Sequence, residues 1–268
     1  MTPALVVAGS PEVIRVTAPK DARVEGDWGG HALLFFPGRA ADTWYALAGV
    51  DVEAAPGPAT VASTIHVAIH LQDHDKAEEV REAIAIHPAH YRTTSLTVAP
   101  KFVEPDPEAM KRIAAESEIK KKAYAETADK PLWAGDFAAP VAAKPTDSFG
   151  TRRMLNGKLA AVHKGMDFRA ASGTVVHAGN AGTVVLAQPL YYEGNCVIVD
   201  HGLGLMSLYM HFSRIDVKPG QRVAKGQRLG LSGATGRVTG PHLHWAVRWE
   251  GAYLDPAKLL KLNLNAIR

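Results

Sequence analysis

His163 and Asp167, in the run His163-Lys164-Gly165-Met166-Asp167, are answered much later in the chain by His242-Leu243-His244. Imidazole nitrogens and carboxylate oxygens are the ligands a catalytic zinc takes, three from the protein with a fourth position left for water. His163, Asp167 and one histidine of the HxH pair meet that count, and the other histidine is left for proton transfer. The two imidazoles of the pair are expected to point apart unless their strand is distorted. The chemistry expected of the set is hydrolysis by a metal-activated water.

Strands and turns must position these residues. From about 146 to 258, short apolar runs alternate with glycines: Thr174-Val175-Val176, Gly182 to Leu186, Asn195 to Val199, Leu205 to Met210 and Leu243 to Val247. That pattern describes an antiparallel β domain with tight turns. Residues 1–103 show similar spacing, as in Val13 to Val16, Ala32 to Phe36 and Ser63 to Ile69. They are expected to form an immunoglobulin-like β-sandwich. Residues 104–132 differ and are read as a connecting helix and linker. Asp106 is placed to cap a helix, with Pro107 and Glu108 in its first turn and Lys120-Lys121-Lys122 at its C-terminal end. Met110, Ile113, Ala114 and Ile119 recur near helical spacing, and the lysine run reads as a solvated face. Trp133 is a packing anchor where the chain enters the site-bearing domain, residues 133–268. The expected fold class is thus mostly β, with a connecting helix.

Composition bounds the function. The chain has 268 residues, 47% hydrophobic and 21% charged, which describes a globular protein rather than a disordered one. No apolar run reaches the roughly eighteen residues of a membrane helix, so no stable membrane insertion is expected. Met1-Thr2-Pro3 is followed by a short apolar patch without a basic start, so no secretory signal is visible. The single cysteine, Cys196, excludes an intramolecular disulfide and reads as a buried strand residue. Residues 131–268 hold 16 Lys/Arg against 8 Asp/Glu, while residues 1–130 hold 14 against 19. The site-bearing half is therefore basic and suits an anionic polymer. Nothing resembles a nucleic-acid motif, which leaves bacterial cell wall as the better partner. The remaining histidines read as structural or surface groups. His66 and His70 belong to a polar strand face, His74, His87 and His90 to charged or turn segments, and His177 and His201 to a strand end and a turn.

A family resemblance sharpens this reading. Ser148-Phe149-Gly150-Thr151-Arg152-Arg153, Asn156-Gly157, His163 to Phe168 and Ala178 to Val184 resemble the lysostaphin/LytM-type zinc endopeptidases of peptidase family M23. So do Val199 to Leu205, Tyr209-Met210-His211, Gly220 to Gln227, Ser232 to His244 and Leu254-Asp255-Pro256. The resemblance implies Zn2+ held by His163, Asp167 and His244, with His211 and His242 as catalytic histidines. It implies hydrolysis of peptide bonds in peptidoglycan stems or cross-links, with a D-Ala–diaminopimelate cross-link as the expected bond. A periplasmic or extracellular site of action and a monomer are expected with it. Arg152 and Tyr209, beside motif residues, are candidates for substrate contact. The alternative is a catalytically inactive LytM-like activator of a cell-wall amidase, which would lack some of the five residues. A zinc hydrolase of peptides outside the wall would share the site and differ in its cleft. The N-terminal domain resembles, more diffusely, the module that some Gram-negative members carry ahead of the peptidase.

Overall fold

The computed structural model describes residues 1–54, 64–71 and 77–267. The fold is mostly β, with two α-helices among the described residues. The largest sheet has ten strands, and its centre runs Gly182–Leu190, Gly194–Asp200, Leu205–Ile215, Leu243–Trp249 and Met166–Phe168, each antiparallel to the next. Both faces of these strands are covered. Cys196, Ile198, Met206, Leu208 and Ala246 pack with Ala123 of the helix Pro107–Ala125. Val197, Val199, Leu205, Tyr209 and Val247 alternate with them and enter the larger core. Side chains that alternate between two buried faces give the near-continuous apolar runs seen in the sequence.

The helix begins where Asp106 caps it, accepting a hydrogen bond from the Ala109 amide at 2.8 Å. It lies on the sheet through Ala123 and Tyr124 and is tied down by polar groups. Glu116 accepts from the Tyr191 amide at 2.7 Å, and Lys120 is ion-paired to Glu193. The lysine run is therefore not uniformly solvated: Lys121 and Lys122 are exposed, whereas Lys120 is held against the sheet domain. Met110 and Ile119 remain 53% and 39% exposed, so the apolar spacing along the helix does not become a buried stripe.

Among the described residues, the first half of the chain forms two small sheets of its own and lends one strand to a third. One is Pro11–Thr17, Thr43–Gly49 and Phe36–Pro37; the other is His31–Ala32, Arg23–Trp28, Thr64–His70 and Glu78–Ala83. The single strand expected over Ala32 to Phe36 is broken. Leu33 turns inward, and its amide donates to the Gly26 carbonyl at 2.9 Å, which ends one short strand before the next begins. His66 sits between Asp27 and Glu79, and His70 bonds Glu25 at 3.0 Å. His87 and His90 are exposed, and His74 lies outside the described residues.

Two features join this half to the site-bearing one. A single apolar core runs from Val13, Trp28 and Phe36 to Trp133, Tyr209 and Leu254. Trp133 is fully buried with its ring edge-on to Phe36 at 5.8 Å. The strand Thr93–Leu96 also pairs in parallel with Arg152–Leu155, which returns through Asn156-Gly157 as Lys158–Val162. Asn156 and Gly157 have φ of 49° and 82°, as the two central positions of a type I′ hairpin turn require. The Asn156 side chain donates to the Val98 carbonyl at 3.0 Å and accepts from the Val98 amide at 3.1 Å, which stitches the turn to the earlier segment.

Glu12 lies within this joined core and is fully buried. Its Oε1 accepts from the Ser10 hydroxyl at 2.6 Å, and its Oε2 has no hydrogen-bond partner among the described residues. Burial pushes its carboxyl up to about 7, against the Ser10 hydrogen bond and the charge of Lys258. A raised folded-state value stabilises the fold only while the group is protonated. The contribution is whole below about 4.5 and is lost as pH rises to about 7. Glu12→Gln should remove about 3 kcal/mol of this pH dependence. Denaturation of both proteins across that window checks it, and parallel stability curves would dismiss the effect.

Candidate metal centre

His163 follows the hairpin and is pinned by backbone bonds to the turn before it. Its amide donates to the Thr151 carbonyl, and its carbonyl accepts from the Gly150 amide, both at 2.8 Å. Its Nδ1 donates to the Ser148 carbonyl at 3.0 Å, with the Asp147 carboxylate beside it at 3.3 Å. A carbonyl only accepts, so Nδ1 carries a proton and Nε2 is the nitrogen turned towards Asp167. Asp167 and His244 face each other across neighbouring strands as a register pair. The His163 Nε2, Asp167 Oδ1 and His244 Nδ1 atoms stand 2.8–3.1 Å apart. Arg153 Nη2 donates to the other Asp167 oxygen at 2.6 Å, which leaves Oδ1 to face the two imidazoles.

The donor set fits a metal. Two imidazole nitrogens and one carboxylate oxygen converge at 2.8–3.1 Å, a spacing that requires a shared proton or a cation among them. Zinc takes this combination. Two of the three are held from behind: His163 by Ser148 and Asp147, and Asp167 by Arg153. Outer partners of this kind fix the ring orientation and tautomer of metal ligands.

His242 and His244 look into the same cleft. Residues two apart on a strand share a face, so the expectation that they point apart without distortion does not hold. His242 Nδ1 donates to the Gly240 carbonyl at 2.8 Å, and its Nε2 lies 3.7 Å from Asp167 Oδ1. His211 reaches the cleft differently. Met210 pairs with His244 and also lines the cleft, so simple alternation would send His211 to the opposite face. Instead His211 has φ of 66°, and the strand register shifts around it. Such an irregularity re-aims a side chain, and here it turns the His211 ring to within 4.8 Å of the His242 ring. The His211 Nδ1 donates to the Thr235 carbonyl at 2.8 Å, leaving Nε2 bare.

Burial and hydrogen bonding separate the charge states. Burial alone would raise the Asp167 carboxyl, but hydrogen bonds from His163 and His244 outweigh it and hold the group well below the usual carboxylate range. Burial and the neighbouring His242 and His244 push His211 down to about 3. His244 falls to about 4, chiefly by burial against the pull of Asp167. His211 is therefore a neutral imidazole at ordinary pH.

The cleft around these groups has a volume of about 740 Å³. Its walls include Arg92, Thr94 and Leu96 from the first half of the chain, facing Arg153 and Leu155. Arg152 is exposed outside the cleft, and Arg153, one residue on, faces in. Tyr209 is fully buried, its hydroxyl bonded to the Gly179 amide and Ser207. Neither Arg152 nor Tyr209 is placed to contact a substrate, because strand alternation and core packing turn both away. His201 is sealed between the Ala181 carbonyl and the Ser207 hydroxyl, both at 2.7 Å, and burial lowers it to about 4. His177 lies outside the cleft at the end of its strand. Asp147 and Arg153 escape the sequence reading because their importance lies in what they bond, although their nearness to the glycine turn hints at it. Asp147→Ala should weaken zinc binding about tenfold or more. Competition against a chromophoric chelator measures this, and unchanged affinity would show that the carboxylate does not support His163.

Residues 161–256 match peptidase family M23. It is 46% identical over 107 residues to the peptidoglycan DD-endopeptidase ShyA of Vibrio cholerae, covering 40% of this chain and 24% of ShyA. With the peptidoglycan DD-endopeptidase ShyB of the same organism it shares 38% identity over 96 residues, 36% of this chain and 22% of ShyB. The matches thus span about a quarter of these curated relatives. A solved structure assigned to peptidase M23 from Pseudomonas aeruginosa superposes with a TM-score of 0.72 at 29% identity, covering 95% of this chain and 94% of that one. That likeness takes in the first half of the chain as well as the matched domain.

Proposed function

We propose that the chain is a zinc-dependent endopeptidase that hydrolyses peptide bonds in peptidoglycan stem peptides or cross-links. The observation that supports this most directly is the convergence of three ligand atoms with two further histidines on one cleft. His163, Asp167 and His244 would hold the ion. Zinc bound there would lower the pKa of a water and polarise the scissile carbonyl. His211, neutral with Nε2 free, and His242 beside it face the same space and are assigned to taking up a proton and returning it to the leaving amine. Arg153 and Asp147 keep the ligands oriented throughout.

The named activities of the Vibrio cholerae relatives support peptidoglycan as the substrate and a periplasmic or extracellular place of action. We assign the cut to the D-Ala–diaminopimelate cross-link and the division of the chain to 1–103, 104–132 and 133–268. The amidase-activator alternative is disfavoured because all five site residues are present and assembled. Digestion of purified cross-linked muropeptides by the zinc-loaded protein, read by mass spectrometry, tests the proposal. Monomeric stem peptides, each gaining one water across the cross-link, are expected. Intact muropeptides after incubation with a fully zinc-loaded protein would remove it.

A further inference from the structure

The charged residues of the cleft are committed to one another, with one exception. Arg92 and Arg153 are bonded to Asp147, and Arg153 also to Asp167. Lys164 is paired with Glu53, and Glu193 with Lys120. Arg237 lines the same cleft, and among the described residues its guanidinium has neither a carboxylate partner nor a hydrogen bond. It lies over the Tyr192 ring, 4.6 Å from the centroid.

The position of Arg237 is fixed by its backbone. Its amide donates to the Tyr192 carbonyl at 2.8 Å. Thr235 Oγ1 accepts from the Asn195 amide at 2.9 Å, and a Cβ on Gly236 would stand 2.3 Å from the Gly194 nitrogen, so the two loops are in close contact. The same loop supplies the Thr235 carbonyl that orients His211. A guanidinium stacked on an aromatic face keeps its in-plane N–H groups free, in the fork that matches a carboxylate. The cleft thus offers a pre-positioned cation with no carboxylate in direct contact, the nearby Glu193 being paired with Lys120, on the loop that also supports a proposed catalytic histidine.

We propose that Arg237 is a specificity-determining residue that binds a free carboxylate of the peptide substrate close to the scissile bond. This rests on the endopeptidase reading and narrows its substrates to peptides bearing an acidic group beside the cut. A substrate with that carboxyl converted to a carboxamide fits the same cleft but loses the charge-assisted pair.

The test compares the zinc-loaded protein with its Arg237→Gln and Arg237→Lys variants on one cross-linked muropeptide, in free-acid and carboxamide forms. The unmodified protein should show a KM about tenfold or more lower for the acid, with similar kcat for both. Arg237→Gln should raise the acid's KM to that of the amide and leave the amide's unchanged. Arg237→Lys should retain part of the preference. Equal handling of acid and amide by the unmodified protein would overturn the proposal. So would an equal loss on both substrates in Arg237→Gln, since that would mark a merely structural role. Calorimetric binding of the free-acid and amidated stem peptides separates this proposal from the one it rests on. Acid preference in binding without any cleavage would remove the endopeptidase reading and keep the carboxylate site. Cleavage without acid preference would do the reverse.

Discussion

His211→Ala and His242→Ala are each expected to lower turnover by about a hundred- to ten-thousandfold while the protein still binds one zinc ion. His244→Ala is expected to lose the metal together with the activity. The distinction follows from which nitrogen faces where. His244 Nδ1 lies 2.8 Å from Asp167 Oδ1 and 3.0 Å from His163 Nε2, inside the ligand triangle. His242 Nε2 stands 3.7 Å from the same carboxylate oxygen, at its margin. The His211 ring is 6.1 Å from that of His244. Metal analysis beside the kinetics decides the matter: zinc lost from His242→Ala but kept in His244→Ala would exchange the two roles.

Gly165→Ala should be nearly as damaging, although it changes no ligand. Gly165 passes directly behind His244, where an added Cβ would stand 2.5 Å from Nε2, 2.7 Å from Cε1 and 2.7 Å from the Trp245 carbonyl oxygen. That carbonyl belongs to a central strand and cannot yield, so the imidazole must swing out of the triangle. Zinc affinity should fall by about a hundredfold, the upper end of what disturbing a ligand's support costs, with activity falling in parallel. Gly240→Ala, where an added Cβ meets nothing within 4 Å, should keep its zinc. Full zinc affinity in Gly165→Ala would show that the strand pair can open at that point.

These substitutions also mark what a sequence shows and what it hides. Of the candidate site residues, His163, Asp167, His242 and His244 stand out by their spacing, whereas His211 and the division of roles come only from the family resemblance. The central strands are legible because two buried faces produce long apolar runs, as in Cys196 to Val199. Glu78–Ala83 is exposed throughout, so its strand leaves no alternation to read. The pairing of Thr93–Leu96 with Arg152–Leu155 is parallel and distant in sequence, and no local pattern encodes such a contact. The approach of His211 depends on a left-handed backbone at a residue that is neither glycine nor asparagine. Choosing Arg152 over Arg153 as the cleft residue is an error of one strand position, which is enough to reverse a side chain's direction.

The shared sheet has a consequence for anyone dividing this protein. Thr93–Leu96 closes one side of Arg152–Leu155, and the Asn156 side chain holds Val98 in place. Expression from residue 133 onward would strip that side and leave a row of unpaired amides and carbonyls beside the cleft. Exposed strand edges recruit other chains. The shortened protein would therefore tend to borrow a strand from a second copy, and it would dimerise or aggregate through the very wall that a substrate should occupy.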